Sequence, residues 1–350
     1  MTRVAGIDPG TVTLDACGLE DGRVFLDASW PTAELLADPR PLIDALLGLG
    51  PVDLIAGPSG YGLPLCRARD TSEDDLRLAF LAPVGEPGGI GGLRSLARRL
   101  EQAGLPLVLT PGVMHLQTVP AHRKLNRVDL GTADKVCAAA LAIATESERR
   151  ACRCEEISLI LLELGGAFTA GLAVEQGRIV DGLGGTSGPI GWRSAGALDG
   201  EVAFLAGEVS KSMLFDGGVE RIAAADPALR GTARAAYVAG AIRAVRALQG
   251  AAPSADTVLL SGRHALDAEV RRPLGPALAD IGEVRALAGF ATTAKQGAQG
   301  AALLADGLAG GRHQELVERL GIREARGTVL DHLYVITPAA ARRRLGLADA

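Results

Sequence analysis

The chain has 350 residues, 48% of them apolar and 22% charged, which is enough hydrocarbon for about two globular domains and excludes a mainly disordered state. Lys plus Arg number 36 against 41 Asp plus Glu, and the net charge of −5 argues against bulk attraction to nucleic acid or an anionic membrane. Aromatic residues, at 3%, supply little for base stacking.

In chain order, residues 3–27 (RVAGIDPGTVTLDACGLEDGRVFLD) read as an apolar strand, an acid, a Gly-containing tight turn, a second strand, a polar-Gly hairpin and a third strand. The charged Arg3 and Asp8 exclude a signal-peptide pattern. VDLIAGPSGYG (52–62) predicts a strand ending at Gly, GLPLVLTPG (104–112) another strand, and TADKVCAAALAIAT from Thr132 an Ala-rich helix. Residues 157–181 (ISLILLELGGAFTAGLAVEQGRIVD) then repeat the opening pattern at an offset of 155, placing Asp8 on Glu163, Gly10 on Gly165, Gly22 on Gly177 and Arg23 on Arg178 without a gap. Glu163 and the Gly165-Gly166 pair also make this most apolar stretch a poor membrane span. Residues 186–255 read as a helical insertion. After it, DTVLLSGRHA (256–265), GEVRALAG (282–289) and the helix TAKQGAQGAALLADGL from Thr293 repeat the later elements of the first half. The small residues Ala138 to Ala140, Gly297, Gly300 and Ala301 would let the two Ala-rich helices approach closely. An appendix over 311–350 reads as an amphipathic helix, a short strand TVLDHLYVI and a basic tail.

Strands alternating with helices imply an α/β fold, doubled into two lobes. The expected boundaries are 1–150 for the first lobe, 151–310 for the second with its insertion at 186–255, and 311–350 for the appendix. Five scattered cysteines (Cys17, Cys66, Cys137, Cys152, Cys154) without C-x-x-C spacing fit reduced thiols in a soluble cytoplasmic protein. The five histidines show no metal-ligand spacing.

The turn Asp8-Pro9-Gly10-Thr11 is the first candidate site. Its Gly lets backbone amides approach a phosphate, and the Thr11 hydroxyl adds a hydrogen bond. Asp8 is then placed to hold Mg²⁺, a hard cation that prefers oxygen ligands. Asp-Pro-Gly is also an ordinary turn sequence, but its recurrence as Gly165-Gly166 behind Glu163 favours a paired phosphate clamp, with Glu163 the second acid for the metal. Gly57-Pro58-Ser59-Gly60-Tyr61-Gly62 closes a strand where α/β proteins place ligands, which makes Ser59, Gly60 and Tyr61 the substrate-binding candidates.

These two meanders, around GIDPGT and ELGGAF, resemble the superfamily of acetate and sugar kinases, heat-shock ATPases and actin. The resemblance implies two duplicated ribonuclease H-like lobes around a nucleotide cleft that takes ATP and Mg²⁺. VLLSGRHALDAEVRRPLGPAL resembles the adenosine motif of that superfamily and makes Ser261 and Gly262 nucleotide contacts, although Arg263 replaces the second Gly. The block GRIVDGLGGTSGPIGWRSAGALDGE resembles the segment of acetate and butyrate kinases that supplies an active-site arginine, here Arg193. A guanidinium suits the charge of a phosphoryl transition state; a loop arginine at the surface is the other reading. DLGTADK resembles a stretch with two histidines in acetate kinases, and here Leu130 and Asp134 stand in their places. Asp134 also resembles the carboxylate base of the third type of pantothenate kinase, which activates a hydroxyl acceptor. An acid favoured by the helix dipole in a first turn is the alternative.

Over its length, and on the GPSGYG and GTADK stretches, the chain is identified as a member of family 1464 among domains of unknown function. The expected activity is an ATP- and Mg²⁺-dependent kinase acting on a small metabolite that carries a hydroxyl or carboxylate. SGYG, ELGG and QGAALLADG also resemble activators of 2-hydroxyacyl-CoA dehydratases, which implies an ATPase switch or nucleotide sensor acting on a partner protein. The absence of Cys from 186–255 argues against an iron–sulfur cluster in such a switch. A non-catalytic member of the fold is the third reading. The kinase resemblance further implies homodimerisation through the second-lobe helices.

Overall fold

The computed structural model describes residues 2–10, 12–48, 50–83 and 90–347. The chain divides into two units, one of Met1–Val128, Thr132–Cys154 and Ala288–Ala350, the other of Asp129–Gly131 and Glu155–Leu287.

In the first unit, β1 (Arg3–Pro9), β2 (Thr13–Glu20), β3 (Arg23–Pro31), β4 (Leu54–Pro58), β5 (Cys66–Arg67) and β6 (Leu107–Thr110) form one sheet in the order β3-β2-β1-β4-β6-β5. β1 and β4 are parallel and β1 to β3 form an antiparallel meander. β1 is buried along its centre because both faces of the sheet are covered. One face packs Ala5, Ile7, Leu14, Ile55 and Leu107 against helical residues such as Leu42, Leu46, Leu76 and Leu100. The helices Ala133–Arg150 and Gln296–Leu308 pack with the same unit through almost bare backbone. A Cβ at Gly6 of β1 would lie 2.2 Å from Ala298 O, and one at Gly300 would lie 1.7 Å from Cys137 O. These glycines let helix sit on strand and helix on helix, as the small-residue pattern predicts.

The second unit repeats the plan. β7 (Leu159–Leu164), β8 (Thr169–Glu175), β9 (Arg178–Leu183), β10 (Thr257–Ser261) and β11 (Glu283–Ala286) run in the order β11-β10-β7-β8-β9. The duplication extends to backbone detail at the offset of 155 visible in the sequence. The β2–β3 turn has positive φ at Asp21 (46°) and Gly22 (80°), and the β8–β9 turn has it at Gln176 (50°) and Gly177 (72°). The register shifts between Gly18 and Leu19 in β2, and between the equivalent Ala173 and Val174 in β8.

Two expectations need correction. The helix from Gln296 and the residues beyond it group with the first unit, not with the second lobe or a separate appendix. TVLDHLYVI is a set of turns, not a strand: Asp331 accepts bonds from the Thr328 amide and hydroxyl, and Asn126 Oδ1 accepts from the amides of Tyr334 and Val335. The insertion is helical as expected, over Gly200–Ala206, Val219–Ala225 and Arg230–Gln249, after an irregular stretch up to Asp199. Among the described residues, no helix is long and apolar enough to cross a membrane.

Candidate functional site

β1 delivers Asp8 at its C-terminal end, and the antiparallel register sets Asp15 of β2 directly opposite. Two carboxylates facing each other on one side of a ladder repel, so this pairing opposes stability. Both are buried: Asp8 is 9% exposed and Asp15 1%. Asp8 also lies against the first turn of Gln296–Leu308, where a Cβ at Gly297 would come within 2.3 Å of Asp8 Oδ2. Glycine at 297 is what lets the carboxylate reach that helix end, where the dipole favours negative charge.

Asp134 stands in the first turn of Ala133–Arg150, and the helix is positioned by a 2.9 Å bond from the Ala133 amide to Gly60 O. The Asp134 carboxylate accepts hydrogen bonds from the Thr132 hydroxyl and the Lys135 ammonium. Burial and the charge of Asp134 push the Asp8 carboxyl up to about 7, against the opposing pull of Lys135 and Lys295. Burial also acts against ionisation of Asp134, but the Lys135 charge and the two hydrogen bonds outweigh it and hold this carboxyl below its ordinary value. Two neighbouring acids are thus driven apart, one toward the protonated form and one toward the anion.

Lys295, immediately before Gln296–Leu308, reaches the same turn. Its ammonium lies 3.3 Å from Asp15 Oδ2 and donates to Thr13 Oγ1, and a Cβ at Gly10 would lie 3.2 Å from it. The other Asp15 oxygen, Oδ1, is buried without a hydrogen-bond partner among the described residues.

The two predicted phosphate turns share one geometry. A Cβ at Gly10 would lie 2.8 Å from Thr13 O, and one at Gly165 would lie 2.9 Å from Phe168 O, the equivalent position. Only glycine fits either place without a shift. Thr11 lies outside the described residues. At Gly166 a Cβ would meet nothing within 4 Å, so open space adjoins the turn.

In the second unit, Glu163 of β7 is the parallel partner of Ser261 of β10. Ser261 is 3% exposed, and its hydroxyl is buried without a hydrogen-bond partner among the described residues. Gly262, at φ 85°, brings the chain so close that a Cβ would lie 3.0 Å from Gly165 N, which joins the predicted adenosine segment to the phosphate turn. Arg193 is exposed, and its amide bonds Ala167 O at 3.0 Å, which fixes it beside that turn.

The strand-end segment holds the remaining candidates, Ser59, Gly60 and Tyr61. Ser59 is buried and its hydroxyl is committed inside the fold, donating to Thr110 O (2.6 Å) and accepting from the Leu63 amide (3.0 Å). Its hydroxyl therefore ties β4 to the segments that follow. Gly60, at φ 72°, supports the Asp134 helix through its carbonyl. The Tyr61 amide bonds Ala79 O at 2.9 Å, and the residue is half-buried.

Sequence reasoning missed Asp15, Lys135 and Lys295. Strand alternation and hairpin register carried a signal for Asp15, which is the inward position opposite Asp8. For Lys295 the signal was a cation at the start of a helix, where the dipole disfavours it. Among the described residues, no group of three or more His, Cys, Asp or Glu is arranged to hold a metal by itself.

Solved structures share the fold at low identity. A propionate kinase from Francisella tularensis subsp. tularensis SCHU S4 superposes with a TM-score of 0.62 at 13% identity, covering 86% of this chain and 99% of that one. Acetate kinase from Entamoeba histolytica gives 0.56 at 11% identity, covering 79% of this chain and 86% of that one. For Porphyromonas gingivalis acetate kinase the values are 0.54 and 13%, with 78% and 86% covered. The fold is therefore α/β and is the one these propionate and acetate kinases share, with a separate sheet in each of the two units. No curated protein matches the sequence. The model of the family described as "Protein of unknown function (DUF1464)" matches residues 6–335, and the chain belongs to that family.

Proposed function

We propose that this protein is an ATP- and Mg²⁺-dependent phosphotransferase whose acceptor is a small metabolite bearing a hydroxyl or carboxylate. The observation that carries the reading is the convergence of Asp8, Asp134, Lys135 and the Gly10 turn at one end of β1, with the Gly165 turn repeated in the second unit. The residues fit both groups. An all-oxygen donor set with one orphaned buried oxygen, Asp15 Oδ1, and, among the described residues, no closed protein cage suits Mg²⁺, which is usually held by one or two carboxylates plus phosphates and water. Asp8 is the residue assigned to the metal, and Glu163 is the matching acid of the second unit. Bound there, Mg²⁺ neutralises charge on the phosphates.

The chain's own residues supply the rest. Gly10, Gly165 and Gly166 admit phosphate oxygens close to backbone amides. The unpaired Ser261 hydroxyl and Gly262 serve the nucleoside side, and Arg193 offers a planar guanidinium to the transferred phosphoryl group. Asp134, kept as the anion, orients an acceptor hydroxyl and takes its proton late in the transfer; a carboxylate acceptor would need no base. Five free thiols suit a reducing cytoplasm. A small-molecule partner and a homodimer complete the reading.

ADP formation from Mg²⁺·ATP, measured across a panel of small hydroxy compounds and carboxylic acids, tests it. Acceptor-dependent turnover is expected, and Asp134→Asn should lower kcat for a hydroxyl acceptor by about 10²–10⁴-fold with ATP binding retained. Turnover that ignores every acceptor and rises only with a protein partner would instead identify an ATPase switch.

A further inference from the structure

We propose that Lys295 is the cation that binds the nucleotide's phosphates at the Gly10 turn, carried there by a loop that Asp27 and Gln299 hold in place. The inference rests on the nucleotide reading and adds a residue that neither the phosphate-turn repeat nor the family resemblance assigns.

Lys295 occupies the N-cap position of Gln296–Leu308 and makes no side-chain cap. An ammonium cannot accept a bond from the free amides there, and the helix dipole repels it. A lysine at this position therefore requires negative charge nearby. Asp15 supplies part of it, at 3.3 Å. An ammonium has three donors, and among the described residues two are accounted for by Asp15 Oδ2 and Thr13 Oγ1. The side chain is 45% exposed, and its nitrogen lies beside the bare backbone of Gly10, so the third donor faces the space next to the turn. A phosphate oxygen there would meet the ammonium without breaking the contact to Asp15.

The approach loop is built to fix this placement. Asp27 of β3 accepts bonds from the amides of Thr292, Thr293 and Ala294 and from the Thr292 hydroxyl, at 2.6–3.1 Å. Partial burial opposes ionisation of Asp27, yet these donors bring its carboxyl down to about 2, so the clamp stays charged at any working pH. From the other side, Gln299 accepts from the amides of Phe290 and Ala291 and donates to Ala294 O. Residues 290, 291 and 294 are thus tied to Gln299, and 292 to 294 are tied to Asp27. Asp27 is accordingly a positioning residue for Lys295.

Calorimetric titration of Mg²⁺·ATP and of adenosine into the whole protein, its variants Lys295→Ala, Lys295→Arg and Asp27→Asn, and the double variant Lys295→Ala/Asp27→Asn tests the assignment. Lys295→Ala should weaken ATP binding by about 10-fold or more, the range of a charge-assisted hydrogen bond, and leave adenosine binding unchanged. Lys295→Arg should restore most of the affinity. Asp27→Asn should weaken ATP binding in the wild-type background and add little to Lys295→Ala, the signature of action through one residue. If removing the ammonium leaves the Asp15 carboxylate uncompensated and impairs folding, Lys295→Ala/Asp15→Asn removes both charges and must show the same selective loss. Equal ATP affinity for wild type and Lys295→Ala overturns the inference and leaves the nucleotide reading standing. Absence of ATP binding by the wild type overturns both.

Discussion

Asp8→Asn is expected to stabilise the ligand-free protein at pH 8 while removing Mg²⁺-dependent nucleotide binding. The Asp8 carboxyl has an ordinary value of 3.8 in an unfolded chain and is pushed up to about 7 in the native protein, by burial first and by Asp134 second. Between those values the native state keeps a proton that the unfolded chain has lost, so stability falls as pH rises through this window. The loss is complete above pH 7 and absent below 3.8. Asparagine fills the same volume and carries no charge at any pH. A tenfold difference in proton affinity between the native and unfolded chain is worth about 1.4 kcal/mol, and a gain of roughly 1–3 kcal/mol at pH 8 is expected after the amide's own burial is counted. Thermal melts in a metal chelator at pH 8 and pH 5 provide the check, with the gain present at the first pH and much smaller at the second. An equal effect at both pH values would show that Asp8 is not held partly protonated. This is the behaviour of a residue kept for function at the expense of stability.

The second large effect is steric. Gly300→Ala should destabilise the first unit by roughly 3 kcal/mol or more, because its Cβ would lie 1.7 Å from Cys137 O, a backbone atom with no rotamer to retreat into. Gly6→Ala should behave alike, since Ala298 O and Ala302 N lie 2.2 Å from the new atom. Gly231→Ala is the internal control: nothing lies within 4 Å of its Cβ, so the substitution should be neutral or mildly stabilising in Arg230–Gln249. Chemical denaturation of the three variants separates the outcomes, and a neutral Gly300→Ala would contradict the close helix packing.

The duplication was legible because it is written in residues that turns and bulges require. Gly22 and Gly177 mark hairpins with positive φ, and Gly10 and Gly165 mark turns in which a carbonyl leaves no room for a Cβ. Asp8 and Asp134 could be read for similar reasons, as acids at the end of a strand and at the start of a helix. Unit membership was not legible: the Thr293 helix resembles a second-lobe element in sequence order, and its contacts, those of Gly6, Gly297 and Gly300 among them, place it in the first unit. TVLDHLYVI has a strand-like composition, but bonds to the local Asp331 and to the distant Asn126 take up its amides in place of a ladder. The engagement of the Ser59 hydroxyl was not legible either, because it depends on the β4–β6 pairing that brings the Thr110 carbonyl beside it to accept its hydrogen bond. Lys295 was hidden because its partners, Thr13 and Asp15, lie some 280 residues away in the chain.

The measurement that bears most directly on the account is the melting temperature with and without millimolar ATP, in the presence and absence of Mg²⁺, for the wild type and for Asp8→Ala. Ligand bound only to the native state at a hundred times its Kd adds about 2.7 kcal/mol, so a rise of several degrees that needs Mg²⁺ and vanishes in Asp8→Ala is predicted. No rise for the wild type, or an equal rise for Asp8→Ala, would contradict a nucleotide site built on the end of β1.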